Sequence, residues 1–232
     1  MEQLKKKLEN YWYHYKYQIL LGALGIITVI AALTQCATSV EYDVYLTYAG
    51  PYHLTDAGLE AAAADCASVL DKDLNGDGKV NAGFNKIFYM TDDQIRDALA
   101  NDPEFAVPAQ EENLEKFKRE FEAGDTVIWF VDPSLYAEYS KTDEWVSMLE
   151  VIEKETWWAL TAELPEEAFD QYSIRLSATE FGQTFFPYLP DDTLICMRRI
   201  SNYTALMGVE EAEEYYRRGE ELFKAIFSYK AN

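Results

Sequence analysis

The chain is poor in the residues that most enzymes use for chemistry. It has two histidines, His14 and His53, and three cysteines among 232 residues. His14 lies in an aromatic segment near the N-terminus and His53 in a loop, so neither a catalytic triad nor a zinc site is predicted. Patterns of the C-x-x-C, H-E-x-x-H, P-loop and nucleophile-elbow types do not occur in the sequence. We therefore predict no catalytic residues and favour a non-enzymatic protein.

Positive charge is also scarce. Lysine and arginine total 20 against 41 aspartates and glutamates, which gives a formal net charge of -21. The first 18 residues have a net charge of +2, so the rest of the chain has -23. A surface this acidic repels nucleic acid and anionic lipid headgroups and attracts divalent cations. Nucleic acid is therefore excluded as a partner.

The cysteines give no clear disulfide framework. Cys36 lies at the end of an apolar run, Cys66 in a helical pattern and Cys196 in a strand pattern. Two cysteines in such contexts are more often small buried hydrophobic residues. A Cys66–Cys196 disulfide, formed in an oxidising compartment, is the alternative.

One long hydrophobic run stands out from the rest of the chain. Residues 19–33 read ILLGALGIITVIAAL without a charged side chain, and residues 34–37 extend the run. Nineteen helical residues at about 1.5 Å each span roughly the hydrocarbon core of a bilayer. Five aromatic residues between Tyr11 and Tyr17 are typical of an interfacial belt, and the lysines before the run place the N-terminus in the cytoplasm. An uncleaved signal anchor is favoured, with cleavage near Ala37-Thr38-Ser39 or lipidation of Cys36 as alternatives.

These features divide the chain into four parts. Residues 1–18 are predicted to be a cytoplasmic basic and aromatic segment, 19–37 a transmembrane signal anchor, 38–42 a linker and 43–232 an extracytoplasmic domain. In that domain strand patterns at 43–48, 86–90, 126–131 and 193–199 alternate with helical patterns at 57–70, 91–100, 110–123, 134–139, 145–160 and 209–229. The alternation predicts an α/β fold with a mostly parallel sheet flanked by helices.

The segment 113–139, NLEKFKREFEAGDTVIWFVDPSLYAEY, resembles a recurrent segment of the extracellular solute-binding proteins of ABC importers, the type 2 periplasmic-binding-protein-like group. In that group a helix ends at an "AGD" turn and is followed by a buried strand, an aspartate and a new helix. With DVYLTYAGP and KIFYM as the first two strands, the resemblance implies a solute-binding-protein-like fold. Members are typically much longer and have two lobes. The resemblance therefore implies a reduced form with one complete lobe and a reduced second one.

A second resemblance concerns a polar loop. Residues 73–81, DLNGDGKVN, resemble the first nine positions of an EF-hand or dockerin-type calcium loop. The resemblance implies a Ca²⁺ site with oxygen ligands, supplied by Asp73, Asn75, Asp77, the Lys79 carbonyl and Asn81. Phe84 replaces the acidic ligand expected at position 12, so Asp65 or Asp71 would have to complete the shell. The alternative is a plain exposed turn.

Three tyrosines are candidate ligand-lining residues because of their positions. Tyr48 and Tyr52 fall at the end of the first strand, and Tyr136 falls at the helix start after Asp132, where α/β folds place ligand crevices. We expect a membrane-anchored binding or sensing module, with the lipid bilayer contacted through residues 19–37 and a small solute or a membrane protein as a further partner. A scaffold or accessory subunit of a membrane complex is the alternative. An envelope-polymer hydrolase is the third reading.

Overall fold

The computed structural model describes residues 2–38, 40–124, 126–139, 144–200 and 208–231, with the backbone alone for residues 2–11 and 32–38. The chain divides between Glu41 and Tyr42 into two compact units. The first contains helix α1 (Glu2–Thr38) and the second contains all the remaining elements.

Helix α1 runs without a break through the predicted cytoplasmic segment and the predicted anchor. Its segment Trp12–Ala31 has a mean hydropathy of 1.2, none of it is buried, and it is long and apolar enough to cross a membrane. A membrane anchor and a signal sequence both meet this criterion. The Lys16 Nζ lies 5.2 Å from the ring centroid of Tyr17, which fits an amphipathic belt at a membrane interface. The side chain of Cys36 and residue Ser39, on which the lipidation and cleavage alternatives depend, lie outside the described residues.

The second unit is built on a five-stranded sheet. Its strands are β1 (Val44–Gly50), β2 (Ala82–Phe88), β3 (Ile128–Val131), β4 (Ser173–Arg175) and β5 (Leu194–Met197), in the order β2-β1-β3-β5-β4. Strand β1 pairs in parallel with β2 and β3, whereas β5 pairs antiparallel with β3 and with β4. The prediction of a mostly parallel sheet is therefore wrong, and the sheet is mixed. The apolar pattern of β5 shows that it is buried but does not show its direction.

The helices of this unit connect and cover the strands. They are α2 (Asp56–Ser68), α3 (Asp92–Asn101), α4 (Gln110–Ala123), α5 (Pro133–Tyr139), α6 (Met148–Val151), α7 (Lys154–Thr161), α8 (Glu180–Phe185) and α9 (Val209–Ser228). The Thr91 hydroxyl accepts a hydrogen bond from the Gln94 N–H at 3.2 Å, and the Gln94 side chain accepts one from the Thr91 N–H at 2.8 Å. This reciprocal pair is the capping box that the sequence predicts at the start of α3.

Both faces of the sheet are covered. Helices α2 and α9 pack on one face through Ala62, Cys66 and Phe223, among others. Helix α4 packs on the other face, where Phe117 and Phe121 contact Trp129 of β3 at centroid distances of 5.3 and 5.8 Å. A continuous apolar strand such as β3 is expected where helices cover both faces.

The predicted helix over 145–160 is wrong at residues 145–147 and is interrupted at residues 152–153. The N–H of Val146 donates to the Met197 carbonyl at 2.9 Å, and Trp145 forms an isolated antiparallel bridge with Arg198, so this segment extends the pairing of β5. The short helices α6 and α7 follow, separated by Ile152 in an extended conformation and by Glu153, which is not helical. The residues that pair with Trp145 and Val146 lie about fifty positions further along the chain. The local sequence pattern around residue 145 therefore does not reveal this pairing.

The two described cysteines do not pair. Cys66 and Cys196 are both free and fully buried. Cys66 belongs to the core on the α2 face and Cys196 to the core on the α4 face, so the sheet separates them. Burial raises the pKa of both thiols well above the usual value. The two residues therefore act as small apolar core residues, as the favoured reading predicted.

Helix α9 approaches the sheet closely at a glycine, which gives a stability prediction. A Cβ added at Gly219 would lie 2.6 Å from the Val127 Cγ1. A Gly-to-Ala change in a helix interior ordinarily stabilises by about 1 kcal/mol. We expect Gly219→Ala instead to lower the free energy of unfolding by about 1–3 kcal/mol, because it overpacks a tight contact.

Chemical denaturation monitored by circular dichroism measures this change. Glu213→Ala, at an exposed position of the same helix, serves as the control, and it should leave the unfolding midpoint nearly unchanged. Adding Val127→Ala to Gly219→Ala should recover part of the loss because it removes the contacting methyl group. A stabilised Gly219→Ala protein would contradict the close packing.

Candidate functional site

The first candidate site is the sheet edge at the carboxyl ends of β1, β2 and β3. Strand β2 lies on one side of β1 and strand β3 on the other. Helix α2, which connects β1 to β2, and helix α4, which precedes β3, lie on opposite faces of the sheet. The gap between the ends of β1 and β3 is therefore a topological switch point, where open α/β sheets bind ligands. It is bounded by Ala49, whose carbonyl accepts a 2.8 Å hydrogen bond from the Asp132 N–H.

Two tyrosine rings meet in the loops at this edge. Tyr52 follows β1, Tyr188 precedes β5, and their ring centroids are 5.3 Å apart with an interplanar angle of 38°. Both are over one-third exposed, at 38% and 37%. Partial burial raises the pKa of Tyr188 to about 12, and the negative charge of Asp65 adds to the shift. The pair thus offers two aromatic faces, and the raised pKa keeps the Tyr188 hydroxyl neutral.

The structure places the three predicted ligand-lining tyrosines differently. Tyr48 is fully buried, and its hydroxyl accepts a 2.9 Å hydrogen bond from the Tyr52 N–H, which fixes the turn after β1. Tyr136 is also buried, and its hydroxyl donates to a carboxylate oxygen of Asp170 at 2.7 Å. Burial raises the pKa of both residues. Only Tyr52 lies at the surface with its ring exposed.

Tyr188 was not among the predicted residues. It lies in the loop FFPYLPDD, where an aromatic residue stands between two prolines just before a predicted strand. The two prolines disfavour a helix or strand there and indicate a loop. An aromatic residue in a loop before a strand could therefore have been predicted as a surface binding residue.

Asp132 at the end of β3 is a structural carboxylate. It is 3% exposed, accepts a 3.0 Å hydrogen bond from the Gln94 side chain, and accepts the Ser134 N–H at 2.8 Å. It therefore caps the start of α5. Its charge also helps to raise the pKa of Tyr48, so this end of the sheet is negative as well as aromatic.

A small cavity lies in the segment of chain that connects β4 to β5. It has a volume of about 280 Å³ and an apolar lining that includes Leu176, Phe186 and Leu189, with Gln183 and Asp191 among its polar residues. The Gln183 side chain donates to the Ser177 carbonyl at 2.9 Å, which fastens one wall. Pro187 and Leu189, the chain neighbours of Tyr188, are among the lining residues.

The second candidate site is the loop at the opposite, amino-terminal edge of the sheet. The Asp73 carboxylate accepts hydrogen bonds from the N–H groups of Gly76 and Gly78, both at 2.6 Å. These glycines have φ values of 80° and 86°, which side chains disfavour. The hydrogen bonds hold the pKa of Asp73 below its usual value. Their contribution to stability is present above the unfolded pKa and is lost as the pH falls through the folded value.

The other predicted ligands follow the same pattern of local bonds. The Asn75 side-chain oxygen accepts the Asp77 N–H at 2.9 Å, and an Asp77 carboxylate oxygen accepts the Lys79 N–H at 2.8 Å. The Asn81 side-chain oxygen is turned toward the protein and accepts the Asp43 N–H at 3.0 Å. Hydrogen bonds between side chains and backbone therefore account for the shape of the loop.

The sequence analysis did not predict the role of Asp43, whose side chain holds this loop against the start of β1. Its carboxylate is fully buried. One oxygen accepts the N–H groups of Leu74 at 2.6 Å and Asn75 at 2.8 Å, and the other accepts the N–H of Asn81 at 2.8 Å. Asp43 thus joins the start of β1 to both ends of the loop. Buried carboxylates need such partners, because an uncompensated buried charge is costly.

The calcium prediction stays a prediction. Phe84, at loop position 12, lies in β2 and packs on Phe130 and Phe186 at centroid distances of 5.8 and 5.9 Å, so no oxygen ligand comes from that position. Asp65 lies close enough to Tyr188 to raise its pKa. Across the described residues, no group of three His, Cys, Asp or Glu side chains is placed to hold a metal ion. The loop alone offers Asp73, Asn75 and Asp77 as side-chain ligands.

His53 is at the surface, as predicted, and packs edge-on against the Phe88 ring at 5.2 Å.

No protein-family model, curated protein or solved structure matches this chain.

The role of Asp43 can be tested by mutation. We expect Asp43→Ala to lower the free energy of unfolding by roughly 3 kcal/mol, since three partly buried N–H groups lose a carboxylate acceptor that is itself buried. Asp43→Asn keeps the size of the side chain and one acceptor oxygen, so it should cost less.

Denaturant unfolding measures both changes. Asp71→Ala removes an exposed carboxylate from the same loop and should change stability by no more than about 0.5 kcal/mol. Equal effects of Asp43→Ala and Asp71→Ala would show that the buried carboxylate does not fasten the loop.

Proposed function

We propose that the protein is a membrane-anchored, extracytoplasmic binding or sensing module that takes its ligand at the carboxyl edge of the parallel strands. The observation that carries this proposal is the exposed Tyr52–Tyr188 pair at the topological switch point. Exposed aromatic faces bordered by carboxylates suit a neutral or cationic solute, whose apolar face stacks on the rings while its donors bond to acidic oxygens. Anionic solutes are disfavoured by the charge of this edge.

The proposed location follows from the asymmetry of charge. A net positive charge precedes the apolar run of α1 and the excess of carboxylates follows it, which supports a cytoplasmic N-terminus and an external domain. We take residues 19–37 as an uncleaved anchor. The resemblance to solute-binding proteins in reduced form supports the binding role.

We do not expect the ligand to be captured between two closing lobes. The residues from Tyr42 onward form one compact unit around one sheet. A ligand at the switch point would lie in the loops at the sheet edge, which favours a rapid, shallow exchange over full enclosure. Such a module reports or presents a solute near the membrane.

The binding surface can be tested with the full-length protein in a non-ionic detergent. A thermal-shift screen against sugars, amino acids and short peptides should identify solutes that raise the melting temperature. Titration calorimetry then measures the affinity. We expect the Tyr52→Ala/Tyr188→Ala variant to bind a solute found in the screen at least about tenfold more weakly, as expected for the loss of 1.4 kcal/mol or more of stacking.

Trp158→Ala is the matched control, because Trp158 is 61% exposed and lies in α7, outside the carboxyl-edge loops. It should bind like the parent protein. Equal weakening by the control and by the tyrosine variant would place the ligand elsewhere.

A scaffold or accessory subunit of a membrane complex is the second candidate. It is favoured by the exposure of Trp158 and of Leu149 on the neighbouring helix α6, since large exposed apolar side chains often mark protein contacts. A screen in which no solute raises the melting temperature would favour this candidate over the first. A hydrolase is less favoured, because Asp132 at the switch point is buried and occupied as a helix cap.

Calcium binding by the loop is a separate part of the proposal. The two glycines with positive φ and the alternating oxygens of Asp73, Asn75 and Asp77 support it. With three side-chain ligands the site would belong to the weak extracellular class, with a Kd of roughly 10⁻⁴–10⁻³ M. Such a site would be filled outside the cell, where calcium is abundant.

Calcium titration by calorimetry tests this site. We expect heat on binding in the parent protein and none in Asp77→Ala, which removes an oxygen ligand while leaving the Asp43 and Asp73 hydrogen bonds in place. Asp93→Ala, an exposed carboxylate at the start of α3, is the control and should bind calcium normally. A parent protein that gives no calcium-dependent heat at millimolar calcium lacks the site.

A further inference from the structure

A cluster of positive side chains lies at the amino-terminal edge of the sheet. Lys72, in the loop after α2, and Arg217 and Arg218, consecutive residues of α9, line one cavity of about 250 Å³ together with Asp73, Leu74 and Glu221. The protein has twice as many acidic residues as basic ones. Three cations from two separate elements are therefore brought together here, beside the carboxylates of Asp73 and Glu221.

The basic groups in this cavity retain much of their capacity to bind an anion. Arg217 is exposed and, within the part of the chain that the structure describes, has no carboxylate at ion-pair distance. Lys72 is 66% exposed, and its contact with Glu221 is long at 3.9 Å. A long, solvated pair of this kind is weak and is readily exchanged for a better acceptor.

Arg218 adds a buried donor. Its side chain is 16% exposed, and its Nη2 bonds to Glu214 at 2.8 Å. Its Nε–H is buried and has no acceptor among the described residues. Buried donors are nearly always satisfied by protein, water or ligand, so this guanidinium lacks one partner.

The carboxylate beside the cluster, Asp73, forms no ion pair with these three basic side chains, all of which the structure describes. Both oxygens of Asp73 accept backbone N–H groups of the loop, from Gly76 and Gly78. The pocket wall is therefore held in place by the loop's own bonds. Glu221 is the acidic side chain that an incoming anion must displace from Lys72.

We propose that this cavity is a second binding site, which takes the phosphate or carboxylate group of a small anionic solute between Lys72, Arg217 and Arg218. Guanidinium groups match such oxygens with paired donors, and the ammonium of Lys72 adds a point charge. The site is separate from the Tyr52–Tyr188 surface in position and in charge. It gives an acidic protein a place for a ligand that the rest of its surface repels.

The test uses the full-length protein in non-ionic detergent, with inorganic phosphate and succinate as the two probes. Ionic strength is held constant with sodium chloride, because screening alone stabilises a highly charged protein. Titration calorimetry or NMR shift changes give the affinity. We expect saturable binding of at least one probe and at least a tenfold weaker affinity in Lys72→Gln/Arg217→Gln, whose side chains are exposed and whose loss should not unfold the protein.

Arg96→Gln is the control, since Arg96 is an exposed arginine paired with Asp93 on α3. It should bind like the parent. Phosphate binding without succinate binding identifies phosphate as the group recognised, and the reverse identifies a carboxylate. Absence of saturable binding by both probes, or equal affinity in the parent and the double variant, overturns the proposal whatever the outcome at the tyrosine surface.

Discussion

The fold depends on the position of strand β1 between β2 and β3. Crossover connections between parallel strands are right-handed, so a chain that moves from β1 first to one side and then to the other must place its helices on opposite faces. This places α2 and α4 on opposite faces of the sheet, and both faces of β1 and β3 are buried as a result. The same arrangement opens the switch point at one end of the sheet and leaves the loop after α2 at the other. Both candidate regions thus follow from one topological choice.

Much of the first half of the domain was predictable because its signals are local. The apolar run of β3, the stripe of α4 and its stop at Gly124, and the capping box at Thr91 each lie within a few residues. The direction of β5, the pairing of Trp145 with Arg198 and the short strand β4 were not predictable in this way. Each depends on partners tens of residues distant, which a periodic pattern does not reveal. The site shows the same division, since the loop oxygens of residues 73–81 were visible but their attachment to Asp43 was not.

The charges of the domain are arranged in two opposing environments. At the carboxyl edge, burial and the negative charge of Asp65 hold the pKa of Tyr188 high. At the amino edge, the loop satisfies its own carboxylates with backbone N–H groups and adjoins the cluster of Lys72, Arg217 and Arg218. Backbone N–H groups occupy both oxygens of Asp73, which forms no ion pair with the neighbouring basic side chains that the structure describes. An acidic composition therefore does not impose one sign on every surface.

The separation of Cys66 and Cys196 by the sheet has a consequence for how the protein matures. Neither thiol can reach the other in the folded domain, and each is sealed from solvent. A domain built in this way completes its fold without an oxidation step, so thiol-oxidising enzymes are not needed for these two residues. Once the domain is folded, a change in the redox potential of its surroundings therefore does not reach these two thiols.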